Sequence, residues 1–264
     1  MDLKLSGKTA LVTGSTAGIG YAIAKSLATE GVKVYINGRD KNKVDNVIEK
    51  LKAETGNPEI HGIAADFSDS QQVEDLIHQL PKVDILVNNV GIFEPKEFRD
   101  ITDSDWNRFY EVNVLSGVKL SRAYLDKMID QNWGRIIFIS SESALQIPAE
   151  MIHYGMTKTA QIAVARGLAE LTAGTNVTVN SVLPGPTFSE GVGDFMTALA
   201  KDKGLSNAGM EKEFFTSMRP TSIIKRFITP DEIANLVTYV ASPLSSATNG
   251  ASLRADGGVI KTAF

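Results

Sequence analysis

Short apolar runs recur along the chain, each followed by a glycine or polar break and then a helical stretch. No other feature limits the fold as much. Runs of strand character cover residues 9–13, 34–37, 60–65, 83–88, 135–140 and 177–183, with a last short one at 252–255. Most are apolar at every position instead of alternating, the pattern of strands covered on both faces. Between them lie helical stretches at 19–30, 41–55, 70–79, 104–130, 151–173 and 230–241. Gly31 closes the first, as a glycine that accepts a left-handed conformation closes a helix. Strands alternating with helices of this size predict repeated βαβ units. The expected class is α/β, a doubly wound parallel sheet of about seven strands with helices on both faces.

No Pro- or Ser-rich linker and no fixed-period repeat divides the 264 residues, so residues 1–264 read as a single domain. The rhythm breaks after Pro184. The stretch 184–229 has no strand pattern but holds Gly185, Gly191, Gly193, Gly204 and Gly209 between short amphipathic pieces at 194–201 and 210–218. So long a connection inside a compact domain is usually functional, and residues 186–229 are expected to form a substrate lid.

Composition removes several function classes. There is no cysteine, which excludes disulfides, thiolate nucleophiles and cysteine-ligated metal centres. Lys+Arg 27 against Asp+Glu 31 leaves a net charge of −4 with both signs dispersed, so no basic stripe for nucleic acid appears. Apolar runs stop at about five residues, against the ~20 of a membrane span, and the first residues show no signal-peptide core. A cytoplasmic protein is expected, with no membrane or nucleic-acid partner. His61, His78 and His153 have no partners at metal-ligand spacing, so no metal site is expected.

Two places carry chemistry. Gly14, Ser15, Thr16, Gly18, Ile19 and Gly20 follow the first apolar run and open the first helical stretch. Glycines there permit a tight turn and close approach of backbone to a pyrophosphate at a helix N-terminus. The spacing is Gly-x3-Gly-x-Gly instead of the generic Gly-x-Gly-x-x-Gly, and the position between strand and helix is what favours a dinucleotide. The second strand ends at Gly38 and Arg39, where an NAD-binding fold usually carries an acid for the ribose 2′-hydroxyl. A guanidinium pairs with a 2′-phosphate, so NADP(H) is the preferred cofactor and NAD(H) the alternative. Arg39 also reads as a solvated loop charge, and Asp40 as the cap of the next helix.

The second place is Tyr154 and Lys158, four apart at the start of a helical stretch and so on one face of it. A free phenol has pKa ~10. An ammonium a few ångströms away favours the phenolate, which brings the group closer to useful acid–base chemistry. Tyr21 and Lys25 have the same spacing and read as surface packing. The difference is context: Ser141 lies thirteen residues before Tyr154, at the end of the fifth apolar run. Ligands of open α/β sheets bind beyond such strand ends, and a serine there can donate to a carbonyl oxygen.

These pieces, with Asp66, Asn88-Asn89-Val90-Gly91, Asn113, Pro184-Gly185 and Asp256-Gly257-Gly258 in order, resemble the short-chain dehydrogenase/reductase family over essentially the full length. The match is to its short single-domain subgroup, and it implies a Rossmann-type fold. It also implies that Tyr154 is the acid–base residue, that Lys158 lowers its pKa and binds the nicotinamide ribose, and that Ser141 orients the substrate oxygen. By the same resemblance Asn113 holds a water linking Lys158 to solvent. Asp66 would contact the adenine amino group with Phe67 beside it, Asn89 and Gly91 would lie along the adenosine, and Pro184, Gly185 and Thr187 would meet the carboxamide. Val90 departs from the alanine usual in that place. A homotetramer or homodimer is implied.

Within the family the nearest pattern is that of 3-oxoacyl-carrier-protein reductases. Residues 128–132 and 168–172, where basic groups would greet an acidic carrier, hold Asp130 and Glu170 instead. A small carbonyl or secondary alcohol with an apolar body is therefore the expected substrate. Phe188, Phe195, Met196, Leu199, Phe214, Phe215 and Met218 could cover it, or pack the lid onto the domain. His153 reads either as a pocket or a surface group, and Trp106 and Phe109 as core. A non-catalytic NADP-binding sensor or scaffold on the same fold is the further alternative. An epimerase or dehydratase of the larger related group is disfavoured by the glycine spacing.

Overall fold

The computed structural model describes residues 2–263, and within them all side chains except those of Asp194 and Phe195. The expectation that Phe195 covers a substrate therefore lies outside the described residues. In chain order the elements begin β1 (Thr9–Val12), α1 (Gly18–Thr29), β2 (Lys33–Gly38), α2 (Lys41–Thr55), β3 (Ile60–Ala64) and α3 (Ser70–Gln79). They continue β4 (Ile85–Asn88), α4 (Asp103–Tyr110), α5 (Ser116–Asp130), β5 (Gly134–Ile139), α6 (Ile152–Glu170) and β6 (Val177–Pro184). Last come α7 (Glu190–Asp202), α8 (Asn207–Glu213), α9 (Pro230–Ala241) and β7 (Ser252–Ala255).

All seven strands pair in parallel in the order β3-β2-β1-β4-β5-β6-β7, a doubly wound α/β sheet. The direction of winding reverses between β1 and β4, and a ligand crevice opens beyond the strand ends at such a switch point. Register aligns those ends, with Val12 beside Val87, Ile139 beside Val182 and Pro184 beside Ala255. The turns that follow each strand thus line one edge of the sheet.

The unbroken apolar runs divide by alternate residues between two cores. Ala10, Val12, Ile137 and Ile139 face α1 and α9 together with Ile23, Leu27 and Val237. Leu11, Ile136 and Phe138 face the other way, onto Leu120, Tyr124 and Met128 of α5. Each fully buried side chain of this kind contributes about 1.5–3 kcal/mol by leaving water, so neither face of the sheet tolerates a polar run. A third, smaller core of Met196, Met210, Phe214, Phe215 and Phe227 belongs to the 186–229 stretch. No helix among the described residues is long and apolar enough to cross a membrane.

Helix boundaries follow local chemistry. Asp40 caps α2, accepting from the backbone of Asn42 at 2.8 Å and Lys43 at 3.1 Å. Thr229 and Glu232 form a reciprocal capping box at α9, where Pro230 takes the first turn. The expected single helix over 104–130 is instead α4 and α5 joined by a π-turn at Glu111–Leu115. Such turns hold one extra residue and gather at functional sites. Its middle residue is Asn113.

Candidate active site

The β1–α1 turn is tied on two sides before any ligand is considered. Asn89 Nδ2 donates to the main-chain oxygens of Thr13 at 2.9 Å and Gly14 at 3.0 Å, while Thr13 Oγ1 accepts from the Asn89 and Val90 backbone. Asn37 holds the other side, accepting from Gly14 N at 3.2 Å. Gly14 and Gly18 sit at φ of 59° and 56°, left-handed values that favour glycine. At Gly20 a Cβ would run into the Gly14 main-chain oxygen and stand 2.5 Å from Asn89 Nδ2. Ala17 precedes α1 with no side-chain cap, so the first N–H groups of α1 are free for an anion.

Ser15 departs from the expectation that it contacts cofactor. It is fully buried, its hydroxyl donates to Val12 O at 2.7 Å and accepts from Asn37 N at 2.9 Å, and its own N–H donates to Asn37 O. The hydroxyl and the N–H of Ser15 both hold the turn. The remaining turn and strand-end residues open a cavity of about 340 Å³ lined by Gly14, Thr16, Arg39, Asp66, Phe67, Asn89 and Gly91. Arg39 is exposed at its rim, and Asp66 Oδ1 accepts from the backbone and hydroxyl of Ser68.

A second cavity of about 460 Å³ lies farther along the edge. Ile19, Pro184, Gly185 and Thr187 form the side nearer the turn, with Ser141 and Tyr154 in the same lining. Phe93, Met151, Leu199, Phe214, Met218 and Phe227 supply most of the rest, so the lining is largely apolar. Of the expected cover residues, Leu199, Phe214 and Met218 reach this cavity, whereas Met196 and Phe215 pack in the small core and Phe188 stands exposed against Phe227. Gly185 is fixed by close packing, since a Cβ there would lie 2.5 Å from the Asp256 main-chain oxygen.

Tyr154 occupies the first turn of α6, half-buried and near Ser141, whose hydroxyl accepts from Ser143 N at 3.1 Å. Lys158 is buried one turn later. Its Nζ donates to Ile139 O at 3.0 Å and Gln161 Oε1 at 3.3 Å, and lies 5.6 Å from the Tyr154 ring centroid. Asn113 is fully buried, exchanging two hydrogen bonds with the Ile92 backbone and donating to Thr157 Oγ1 at 3.0 Å. Gly18, Gly20, Asn113 and Lys158 stand behind the cavity linings and hold what lines them.

The electrostatics differ from the expected lowering of the phenol pKa. Burial pushes the Tyr154 phenol up to about 12, and the nearby Glu142 carboxylate adds to the rise. The Ser141 hydrogen bond and the Arg219 guanidinium pull the other way without prevailing. Burial also pulls Lys158 down to about 8. The phenol is therefore protonated at neutral pH. The ammonium is drawn back toward main-chain carbonyl and amide acceptors, not toward the phenol oxygen.

Sequence reasoning missed Glu142, Glu150, Arg219 and Gln161. Arg219 Nε donates to Glu142 Oε1 at 2.9 Å and its Nη1 to Glu150 Oε1 at 3.3 Å. Only Glu142, next to Ser141, and Gln161, one turn beyond Lys158, had a positional signal. His153 is turned away from the cavity, its ring buried against Phe109 at 4.0 Å and Trp106 at 6.0 Å. The other Tyr–Lys pair sits on α1, where Lys25 pairs with Glu54 at 2.8 Å. No cluster of three or more His, Asp or Glu suited to a metal ion occurs among the described residues.

A family model described as short chain dehydrogenase matches residues 8–198. An uncharacterized oxidoreductase of Bacillus subtilis (strain 168) is 52% identical over 264 residues, 100% of both chains. A 3-oxoacyl-[acyl-carrier-protein] reductase of Aquifex aeolicus is 33% identical over 98% of this chain and 100% of its own. The crystal structure of L-sorbose reductase from Gluconobacter frateurii, complexed with NADPH and L-sorbose, is similar with a TM-score of 0.92. It shares 29% identity and covers 99% of this chain and 100% of that one.

Proposed function

The chain belongs to the short-chain dehydrogenase family, and from that premise we propose that it interconverts a small, apolar-bodied carbonyl and its secondary alcohol with NADP(H). The observation that carries this reading is the half-buried Tyr154, which shares with Ser141 the lining of a cavity bounded by Ile19, Pro184, Gly185 and Thr187.

The residues present fit a dinucleotide. The uncapped start of α1 and the left-handed Gly14 and Gly18 would accept a pyrophosphate, with Gly20 letting the turn pack on Asn89. Asp66, Phe67, Asn89 and Gly91 would hold the adenosine, Lys158 the nicotinamide ribose, and Pro184, Gly185 and Thr187 the carboxamide. Gly38, where an acid would otherwise meet the ribose 2′-hydroxyl, and the adjacent Arg39 favour a 2′-phosphate. When bound, the reduced nicotinamide supplies hydride.

A carbonyl oxygen placed between Tyr154 and Ser141, which share the cavity lining, would accept from both hydroxyls. The phenol holds its proton at neutral pH and can pass it to that oxygen as charge develops there. Ser141 shares the developing charge. Asn113 fixes the strand-end backbone at Ile92 and the α6 residue Thr157, and so holds the two sides of the site in register. The apolar lining excludes water and selects an apolar body.

A panel of ketones, aldehydes and acyl thioesters, followed by NADPH oxidation with NADH run beside it, tests the reading. Oxidation with an apolar ketone is the expected result. Turnover confined to acyl thioesters would favour the carrier-protein reductase that the Aquifex aeolicus relative suggests. NADPH binding without any turnover would leave the sensor.

A further inference from the structure

The π-turn and the buried ammonium are joined through a third side chain. Gln161, on α6 one turn beyond Lys158 and 2% exposed, donates from Nε2 to the Asn113 main-chain oxygen at 2.5 Å. Its Oε1 accepts from Lys158 Nζ at 3.3 Å. The oxygen it meets belongs to the π-turn Glu111–Leu115, where the widened turn interrupts the regular helical hydrogen-bond ladder. The amide cannot be turned round, because the carbonyl oxygen needs a donor and the ammonium an acceptor.

We propose that Gln161 is a positioning residue for the Tyr154–Lys158 pair: its amide bridges the π-turn carbonyl to the Lys158 ammonium and keeps that ammonium charged beside the phenol. The inference rests on the acid–base reading of Tyr154 given above. A link between Asn113 and Lys158, which the family resemblance assigns to a water, is here made by a side chain. With Ile139 O and Gln161 Oε1 each taking one N–H, Lys158 has a third to offer. A Cβ at Gly91 would stand 3.3 Å from Nζ, so the glycine leaves that side of the ammonium clear.

The sign of the effect follows from which state each group favours. An acceptor on the ammonium stabilises its charged form. Removing Oε1 therefore lowers the Lys158 pKa further. The charged groups acting on Tyr154 are Glu142 and Arg219, and Lys158 is perturbed by burial. Substitution at Gln161 leaves both of those charges in place.

Gln161→Leu and Gln161→Met remove both amide functions, and Gln161→Asn retains them on a shorter stem. A 13Cε NMR titration of Lys158 needs no substrate. The Leu and Met variants should titrate about 1–2 pH units below the parent, the size expected of a hydrogen bond to a charged group. The Asn variant should lie between. The falling limb of kcat/KM against pH for reduction of the panel's fastest ketone, where the charged Lys158 is lost, should move downward by a similar amount. A purely structural role would lower melting temperature and amplitude and leave both titrations where they were. Unmoved titrations in any folded Leu or Met variant overturn the assignment of Gln161 alone, provided Tyr154→Phe is inactive. An active Tyr154→Phe defeats the acid–base reading and the Gln161 role with it.

Discussion

Arg219 and Glu142, 77 positions apart in sequence, meet in the wall of the apolar cavity with Nε and Oε1 2.9 Å apart. Their side chains are only 11% and 5% exposed. Glu142 directly follows Ser141, and the second partner of Arg219, Glu150, precedes Tyr154 by four residues. The guanidinium thus fastens the 186–229 stretch to both sides of the place where a carbonyl would react.

Removing Arg219 should loosen that stretch. Arg219→Met leaves the buried Glu142 carboxylate without its partner, a change that costs about 3–5 kcal/mol where both groups are desolvated. Hydrogen exchange over 207–218 should speed up before the sheet is affected. Adding Glu142→Leu should restore part of the protection, because no orphaned charge remains there. Unchanged exchange in Arg219→Met would show that the ion pair holds nothing.

Cofactor choice should depend on Arg39. Arg39→Leu should lower the NADPH-to-NADH ratio of kcat/KM roughly ten- to hundredfold, the worth of a charge-assisted contact to phosphate. This single change is cleaner than placing an acid at 38, where a Cβ would stand 2.5 Å from Thr16 Cγ2 and force that side chain to move. A ratio equal to that of the parent protein would remove Arg39 from the phosphate site.

Acid should destabilise the fold through His153. Its pKa is held below the usual 6.5 chiefly by burial, with Glu94 and Asp105 opposing and Lys96 and Arg108 adding to the fall. A depressed folded-state value means that the unfolded chain binds the proton more readily. The neutral ring's contribution is therefore complete above about pH 6.5 and fades as the pH drops through and below that value. Thermal melts from about pH 5 to 7 should show a shallower acid decline in His153→Leu than in the parent. Parallel curves would exclude His153 as a cause.

The fold was legible because the sheet is covered on both faces, so strands such as Ile136–Ile139 announce themselves as unbroken apolar runs. The positions of the glycine turn and Ser141 were legible because each follows such a run, and the Tyr154–Lys158 pair because its helical spacing comes shortly after Ser141. The π-turn was not, since an extra residue in a helix leaves the amphipathic pattern of 104–130 almost unaltered. Arg219 and Glu142 were hidden for another reason: their pairing spans 77 positions and depends on how the 186–229 stretch folds back. The direction of the Tyr154 shift was missed because spacing reports which groups are near, while burial, the larger influence, is a property of the packed structure. Ser15 misled in the same way, as a turn residue whose hydroxyl points inward.

The most direct measurement is turnover of Tyr154→Phe with the panel's fastest ketone and NADPH, alongside NADPH affinity from fluorescence. Loss of the phenolic proton should lower kcat by about 10²–10⁴, the usual worth of a positioned general acid, with NADPH affinity within about threefold of the parent because the ring itself remains. A variant that turns over at the parent rate would contradict the assignment of Tyr154 as proton donor.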